Sequence, residues 1–320
     1  MPAAARTLAD GRIDVGIEAW VHEIESRPGS RMLLARWLGL DRKAMTAEES
    51  ALFDARTQLF RVDSERRKAI RVRFADGSEH GLPATGNDGR STAQFTVDAR
   101  LLGMDGSITF DVVMPVGDPR QFGGRALHVP THGISVVSDI DDTIKQSNVR
   151  DRRELLRSTF ARPFVAVLGM AESYRGFAAR VPAATRFLYV SSSPLQLLPS
   201  LADFIHASGF PDGSMHLRAL TSFRSLLRAG GDSSAHKLGT IRTLIGQFPR
   251  RRFVLVGDSG ERDPEIYAAL AREFPTQVDA IHIRDVSDEP RDAARYAQAY
   301  AGLDANLLTV FADARNWLLD

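Results

Sequence analysis

The chain has 320 residues, 43% of them hydrophobic and 25% charged, with 41 basic against 40 acidic side chains. This composition excludes a disordered chain and a strongly basic nucleic-acid binder, so no nucleic-acid partner is expected; no apolar run approaches the roughly 20 residues of a membrane span. Cysteine is absent, which removes disulfides, thiolate nucleophiles and cysteine-bound zinc, and only four basic residues are lysine: Lys43, Lys68, Lys145 and Lys237.

At about 100–200 residues per domain, the length suggests two domains. The residues up to Asp14 lack the apolar core of a signal peptide, which predicts a cytoplasmic location. In the first third, Ile13–Ile24 alternates as a strand and Thr46–Phe60 carries Leu52, Phe53, Thr57 and Phe60 at helical spacing. Strands follow at Ala69–Phe74, Ala93–Val97 and Ile108–Met114, separated by Asp76-Gly77, Asn87-Asp88-Gly89 and Asp105-Gly106 turns. The pattern predicts a small β-rich sandwich over residues 1–132 with one helical insertion. Glycine and proline crowd the stretch Pro115–Gly133, which reads as the domain boundary.

Beyond Gly133 buried strands alternate with amphipathic helices. Strands are expected at Ile134–Ser138, Phe187–Val190, His216–Ala219, Phe253–Val256 and Ala280–Ile283, with helices at Pro194–Ser208, Ala235–Phe248 and Pro264–Phe274. This is the signature of an α/β domain with a mainly parallel sheet, residues 133–320. Ligands of such sheets bind at the carboxyl ends of the strands, so the polar residues there carry the interest.

The first strand runs into Asp139-Ile140-Asp141-Asp142-Thr143. Carboxylates this close repel one another, and a divalent cation relieves the repulsion. One of Asp139 and Asp141 can serve as nucleophile and the other as acid and base; an acidic turn is the plain alternative. The second strand ends in Ser191-Ser192-Ser193-Pro194. Ser193 suits a helix N-cap and Pro194 the first helical position, giving either simple capping or an anion site of free N–H groups and serine hydroxyls. Lys237 follows Ser233 and Ser234 as possible caps in the first turn of the next helix, where a cation opposes the helix dipole. It suits a phosphate partner, or is a solvated lysine. The fourth strand ends in Gly257-Asp258, with Asp258 placed to ligate a hard cation, and Asp263-Pro264 reads as an N-cap and first helical residue.

The order of these features over Ile134 to about Val286 resembles the haloacid dehalogenase-like (HAD) superfamily of phosphotransferases. More narrowly, Ser138–Lys145 (SDIDDTIK), Tyr189–Pro194 (YVSSSP), His236-Lys237, Val256–Tyr267 (VGDSGERDPEIY) and Ile283–Val286 (IRDV) are similar to the actin-patch-type phosphatidate phosphatases, relatives of the lipins. The resemblance implies a HAD-like Rossmannoid sheet and hydrolysis of phosphatidate, or of another phosphomonoester, through an aspartyl-phosphate. It implies Asp139 as nucleophile, Asp141 as acid and base, and Thr143 as a brace for the nucleophile loop. Ser191, Ser192 and Lys237 would hold the phosphoryl group. Mg²⁺ would sit on the Asp139 carboxylate, the Asp141 carbonyl and Asp258, with Asp263 ligating through water or orienting the site. The mixed basic and apolar segment Arg150–Leu168 suits peripheral contact with anionic membrane, or else a solvated helix face followed by core. The alternatives are a phosphatase for a soluble phosphoester and a non-catalytic anionic-lipid-binding module.

Overall fold

A computed structural model describes residues 3–24, 29–181, 184–219 and 233–315. The chain gathers into two compact units, residues 1–26 with 61–131, and residues 27–60 with 132–320.

The first unit contains β1 (Ala3–Thr7), β2 (Ile13–Trp20), β3 (His22–Ile24), β4 (Val62–Ser64), β5 (Ile70–Phe74), β6 (Glu79–Leu82), β7 (Arg90–Val97), β8 (Ser107–Val112) and β9 (Gly123–Val129). Seven of these form one sheet in the order β6-β5-β8-β9-β1-β2-β7, while β3 pairs with β4 alone. Alternate residues of β2 and β5 point inward, so that Ile13, Val15, Ile17, Ile70, Val72 and Phe74 join Ile108 and Phe110 in one core. This corrects the expected sandwich. A single curled sheet whose two edge strands β6 and β7 approach each other is nearly a closed barrel, and it buries one face just as two stacked sheets do. Alternation reveals the buried face but not the pairing. The glycine- and proline-rich stretch read as boundary holds β9, paired in parallel with β1. Its Gly124 is needed there: a Cβ would stand 2.3 Å from the Phe110 ring.

The helical segment between β3 and β4 packs with the second unit. It carries α1 (Ser30–Trp37) and α2 (Ala47–Arg56), the latter opened by a capping box of Thr46 and Glu49.

The second unit continues with β10 (Ile134–Ser138), α3 (Arg152–Phe160), α4 (Met170–Arg180), β11 (Arg186–Pro194), α5 (Leu198–Ala207), β12 (Gly213–Arg218), α6 (Ser233–Gln247), β13 (Arg252–Asp258), α7 (Asp263–Glu273), β14 (Val278–Arg284), α8 (Ala294–Ala299) and β15 (Leu308–Phe311). Ser233 opens α6, but its side chain lies outside the described residues. The strands form a six-stranded sheet, parallel throughout, in the order β12-β11-β10-β13-β14-β15. Strands β10 and β13 are buried almost end to end, as expected when both faces of a parallel sheet are covered. The chain reverses its direction of winding between β10 and β13, and the crevice beyond their carboxyl ends is where such sheets bind ligands. Among the described residues, no helix is long and apolar enough to cross a membrane.

Two helix starts differ from expectation. Strand β11 runs on through Pro194, with a register shift after Ser191, and a short 3₁₀ turn at Leu195–Leu197 precedes α5. The helix N-terminus expected at Ser193-Pro194, with its free N–H groups, is therefore absent: Ser193 is drawn to a distant carboxylate, described below. Asp263 lies inside the first turn of α7, after Arg262, and does not cap it.

Candidate active site

Asp139 follows β10 directly, its N–H donating to the Val256 carbonyl at 2.9 Å, which ties the acidic loop to β13. Its side chain is 3% exposed. Thr143 Oγ1 donates to Asp139 Oδ2 at 2.9 Å, and Lys237 Nζ lies 2.7 Å from Oδ1. Lys237 also reaches Asp263 Oδ1 at 2.5 Å. It is thus a buried ion-pair partner rather than a solvated first-turn lysine. Burial alone pushes Lys237 toward neutrality, but Asp139 and Asp263 outweigh it and hold the ammonium well above its ordinary range.

Asp258 closes the arrangement from the end of β13. Its Oδ1 accepts from Gly260 N at 2.7 Å, whereas the buried Oδ2 has no hydrogen-bond partner among the described residues. Burial, with Asp263 and Asp139 crowding it, pushes the Asp258 carboxyl well above its ordinary value. Glycine at 257 permits this crowding, because a Cβ would lie 2.2 Å from Asp263 Oδ2. Among the described residues, Asp139, Asp258 and Asp263 offer oxygens that all lie within 4.8 Å of one another. Three buried carboxylates, one orphaned oxygen and a single lysine leave excess negative charge in oxygen ligands, a donor set that fits a hard divalent cation.

Asp141 stands apart from this trio. Its Oδ1 contacts Lys145 Nζ and Ser147 Oγ, each at 2.7 Å, and its Oδ2 accepts from Ser193 Oγ at 3.0 Å and Ser191 Oγ at 3.3 Å. Burial raises the Asp141 carboxyl, but Lys145 and the hydrogen bonds from Lys145, Ser147 and Ser193 prevail and hold it down at about 2. Asp142 anchors the loop. With its backbone in the left-handed region at φ 53°, it accepts from the N–H groups of Ser147, Asn148 and Val149 at 2.7, 2.9 and 2.6 Å. Arg284 donates to its carbonyl at 2.6 Å.

A cavity of about 120 Å³ joins these parts. Asp139, Asp141, Ser191, Ser192, Ser193 and Glu261 line its polar side; Val149, Leu155, Leu156 and Phe160 line the other. All eight residues expected from sequence thus fall in one region, with Asp141 turned to the serines and Lys145 rather than to the carboxylate trio. Sequence reasoning missed Ser147, Ser193 and Glu261 as site residues. It singled out Lys145 only through the scarcity of lysine, a signal that does point to this loop.

By geometry this is a carboxylate–lysine centre at the carboxyl ends of a parallel sheet, suited to a hard cation and a phosphoryl group. Residues 134–285 match the family model described as phosphatidate phosphatase APP1, catalytic domain. The chain is similar to Phosphatidate phosphatase APP1 of Saccharomyces cerevisiae, 37% identical over 179 residues, covering 55% of this chain and 30% of the yeast protein. It is similar too to an uncharacterized protein of Schizosaccharomyces pombe, 34% identical over 162 residues, covering 49% of this chain and 26% of that one. The chain thus spans less than a third of the length of these relatives. A solved chain described as a carbohydrate esterase aligns over 92% of this chain and 89% of its own at 10% identity, with a TM-score of only 0.22.

Proposed function

We propose that the second unit is a HAD-like, Mg²⁺-dependent phosphatidate phosphatase that works through an aspartyl-phosphate. The observation that carries this reading is the junction of a buried Asp139–Lys237–Asp258–Asp263 cluster with a cavity walled by Leu155, Leu156 and Phe160. Such a cavity offers a phosphomonoester both a charged and an apolar side. The family match and the yeast relative's name support phosphatidate as the ester.

Asp139 attacks phosphorus: its oxygen forms the new P–O bond, the bond to the alcohol oxygen breaks, and Asp141 gives that oxygen a proton. Water then attacks the same phosphorus, Asp141 takes its proton, and the bond to Asp139 breaks, leaving diacylglycerol and phosphate. Asp141 rests ionised beside Lys145. An arriving phosphoryl anion pushes it back toward protonation, like charge beside like. Thr143 fixes one oxygen of Asp139, Lys237 balances charge at Asp139, and the Ser191 and Ser192 hydroxyls, which line the cavity, would turn to donate to phosphoryl oxygens when substrate binds. The Asp139, Asp258 and Asp263 carboxylates, with the Asp141 carbonyl, would hold Mg²⁺. When bound, the ion supplies the positive charge that carboxylates and phosphoryl oxygens together require.

Phosphate release from phosphatidate micelles and from a panel of soluble monoesters tests this, with EDTA and Asp139→Asn as controls. Release from phosphatidate, abolished by both controls, is expected. Preference for a soluble ester overturns the lipid assignment, binding of lipid without turnover leaves a lipid-binding module, and wild-type turnover by folded Asp139→Asn overturns the mechanism.

A second reading concerns access to the membrane. Within Arg150–Leu168, Phe160 and Val167 are core and Arg157 and Arg162 pair with Glu49 and Glu154, but Val165 and Leu168 are 51% and 83% exposed and Arg150 is exposed. These residues suit peripheral docking of a cytoplasmic enzyme on anionic lipid. Flotation with phosphatidate liposomes checks it, and indifference to anionic lipid sinks it.

A further inference from the structure

The clamp around Asp141 contains a charge that neither the nucleophile nor the metal site uses. Lys145 is 1% exposed, and its ammonium contacts Asp141 Oδ1 at 2.7 Å and Ser147 Oγ. Ser147 donates to the same carboxylate oxygen at 2.7 Å, so lysine and serine hold Oδ1 together. The ammonium also lies 5.0 Å from the centre of the Phe164 ring, over which the Arg56 guanidinium sits at 3.6 Å. Its backbone is equally fixed, N–H on the Ile140 carbonyl at 2.9 Å and carbonyl on Asp142 N at 2.7 Å.

A buried ion pair is a poor stabilising device, because desolvation offsets most of the attraction and a well-packed apolar side chain does as well. A lysine here therefore serves the group it touches. With Oδ1 held by Lys145 and Ser147, and Oδ2 on the side of Ser191 and Ser193, the Asp141 carboxylate has one orientation available, toward the cavity.

We propose that Lys145 is a positioning residue for proton transfer, orienting Asp141 so that Oδ2 meets the departing oxygen. This rests on the reading of Asp141 as the group that protonates that oxygen while the bond from Asp139 to phosphorus forms and the bond to the alcohol breaks. Removing the lysine leaves nucleophilic attack by Asp139 in place but misdirects the proton.

The test separates these two parts by leaving group. An alkyl phosphate monoester needs a proton on its departing oxygen; p-nitrophenyl phosphate expels a stable phenolate and needs little help. Lys145→Met, Lys145→Arg and Asp141→Asn are compared with wild type in the full chain with Mg²⁺ on both esters. Lys145→Met is expected to lower kcat for the alkyl ester about a hundredfold, with at least a tenfold smaller loss for the nitrophenyl ester and little change in KM. Lys145→Arg, which keeps the charge, is expected to fall between. An equal loss on both esters, or none on either, overturns the proposal. If Asp141→Asn itself shows no dependence on leaving group, the proton-donor reading fails, and this proposal with it. Should Lys145→Met not fold, Ser147→Ala removes a single bond of the clamp and must show the same dependence in smaller size; its absence overturns the proposal equally.

Discussion

The two units handle charge in opposite ways. In the first unit, Arg71 and Arg73 of the seven-stranded sheet share Glu79 on the surface, and in the connecting loops Asp98–Arg100 and Asp118–Arg120 pair two residues apart through exposed arginines. Among the described residues, every buried aspartate, lysine and arginine belongs to the second unit: Arg56, Asp139, Asp142, Lys145, Lys237, Arg251, Asp258 and Asp263. Exposed pairs contribute little to a fold, whereas buried charges are held against a desolvation cost. The difference teaches where chemistry resides. Most of the buried charges cluster at the carboxyl ends of β10 and β13; Arg251 lies at the opposite end, bonded to the carbonyls of His132, Ile134 and Ala184 and to Ser135 Oγ.

Substitutions can break this contrast in order of size. Asp139→Asn is expected to reduce phosphate release at least about a thousandfold with an unchanged circular dichroism spectrum, since the proposed mechanism loses its nucleophile and the fold loses no packing. Arg251→Met is expected to lower stability by about 3 kcal/mol in urea melts, because several buried acceptors lose their donor at once; the molecules still folded should keep their kcat.

Asp258→Asn gives a smaller effect of opposite sign. Asp258 has its carboxyl raised above the ordinary 3.8, so without a cation the folded chain binds a proton that the unfolded chain releases. Stability contributed by this group is therefore lost as pH rises above that value. In EDTA at neutral pH the Asn variant should melt several degrees above wild type, the gap closing toward about pH 4. Saturating Mg²⁺ should stabilise wild type more than the variant. Calorimetry with and without EDTA measures both. The smallest effect belongs to the first unit: Glu79→Gln, which removes both surface pairs, should leave the melting temperature within experimental scatter.

Much of the second unit was legible because its grammar is local. The run Ile134–Ser138 is β10 to the residue, and the acids just after β10 and at the end of β13 stand where a parallel sheet presents its ligands. What escaped is what depends on distant partners. Ser193-Pro194 reads as a helix start in isolation, yet Asp141, far away in sequence, draws the Ser193 hydroxyl and the strand continues. Asp263-Pro264 likewise looks like a cap, but Lys237 and the space left by Gly257 turn Asp263 into the site. In the first unit alternation was readable and closure was not. Whether strands curl into one sheet or stack as two depends on pairings such as β1 with β9, which no local pattern announces.

The left-handed turn at Asp142 has a consequence for how such a site can diverge. Its carboxylate ties down the backbone of Ser147, Asn148 and Val149, so the loop bearing Asp139 and Asp141 is moored by main-chain amides, a hold separate from the one the Ser147 hydroxyl has on Asp141. Val149 belongs to both the mooring and the apolar wall, whose other members Leu155, Leu156 and Phe160 lie beyond it. Under the proposed function, reaction and recognition are therefore separately heritable. A lineage could then redraw the wall to accept a different ester while the loop proposed to break the bond is passed on.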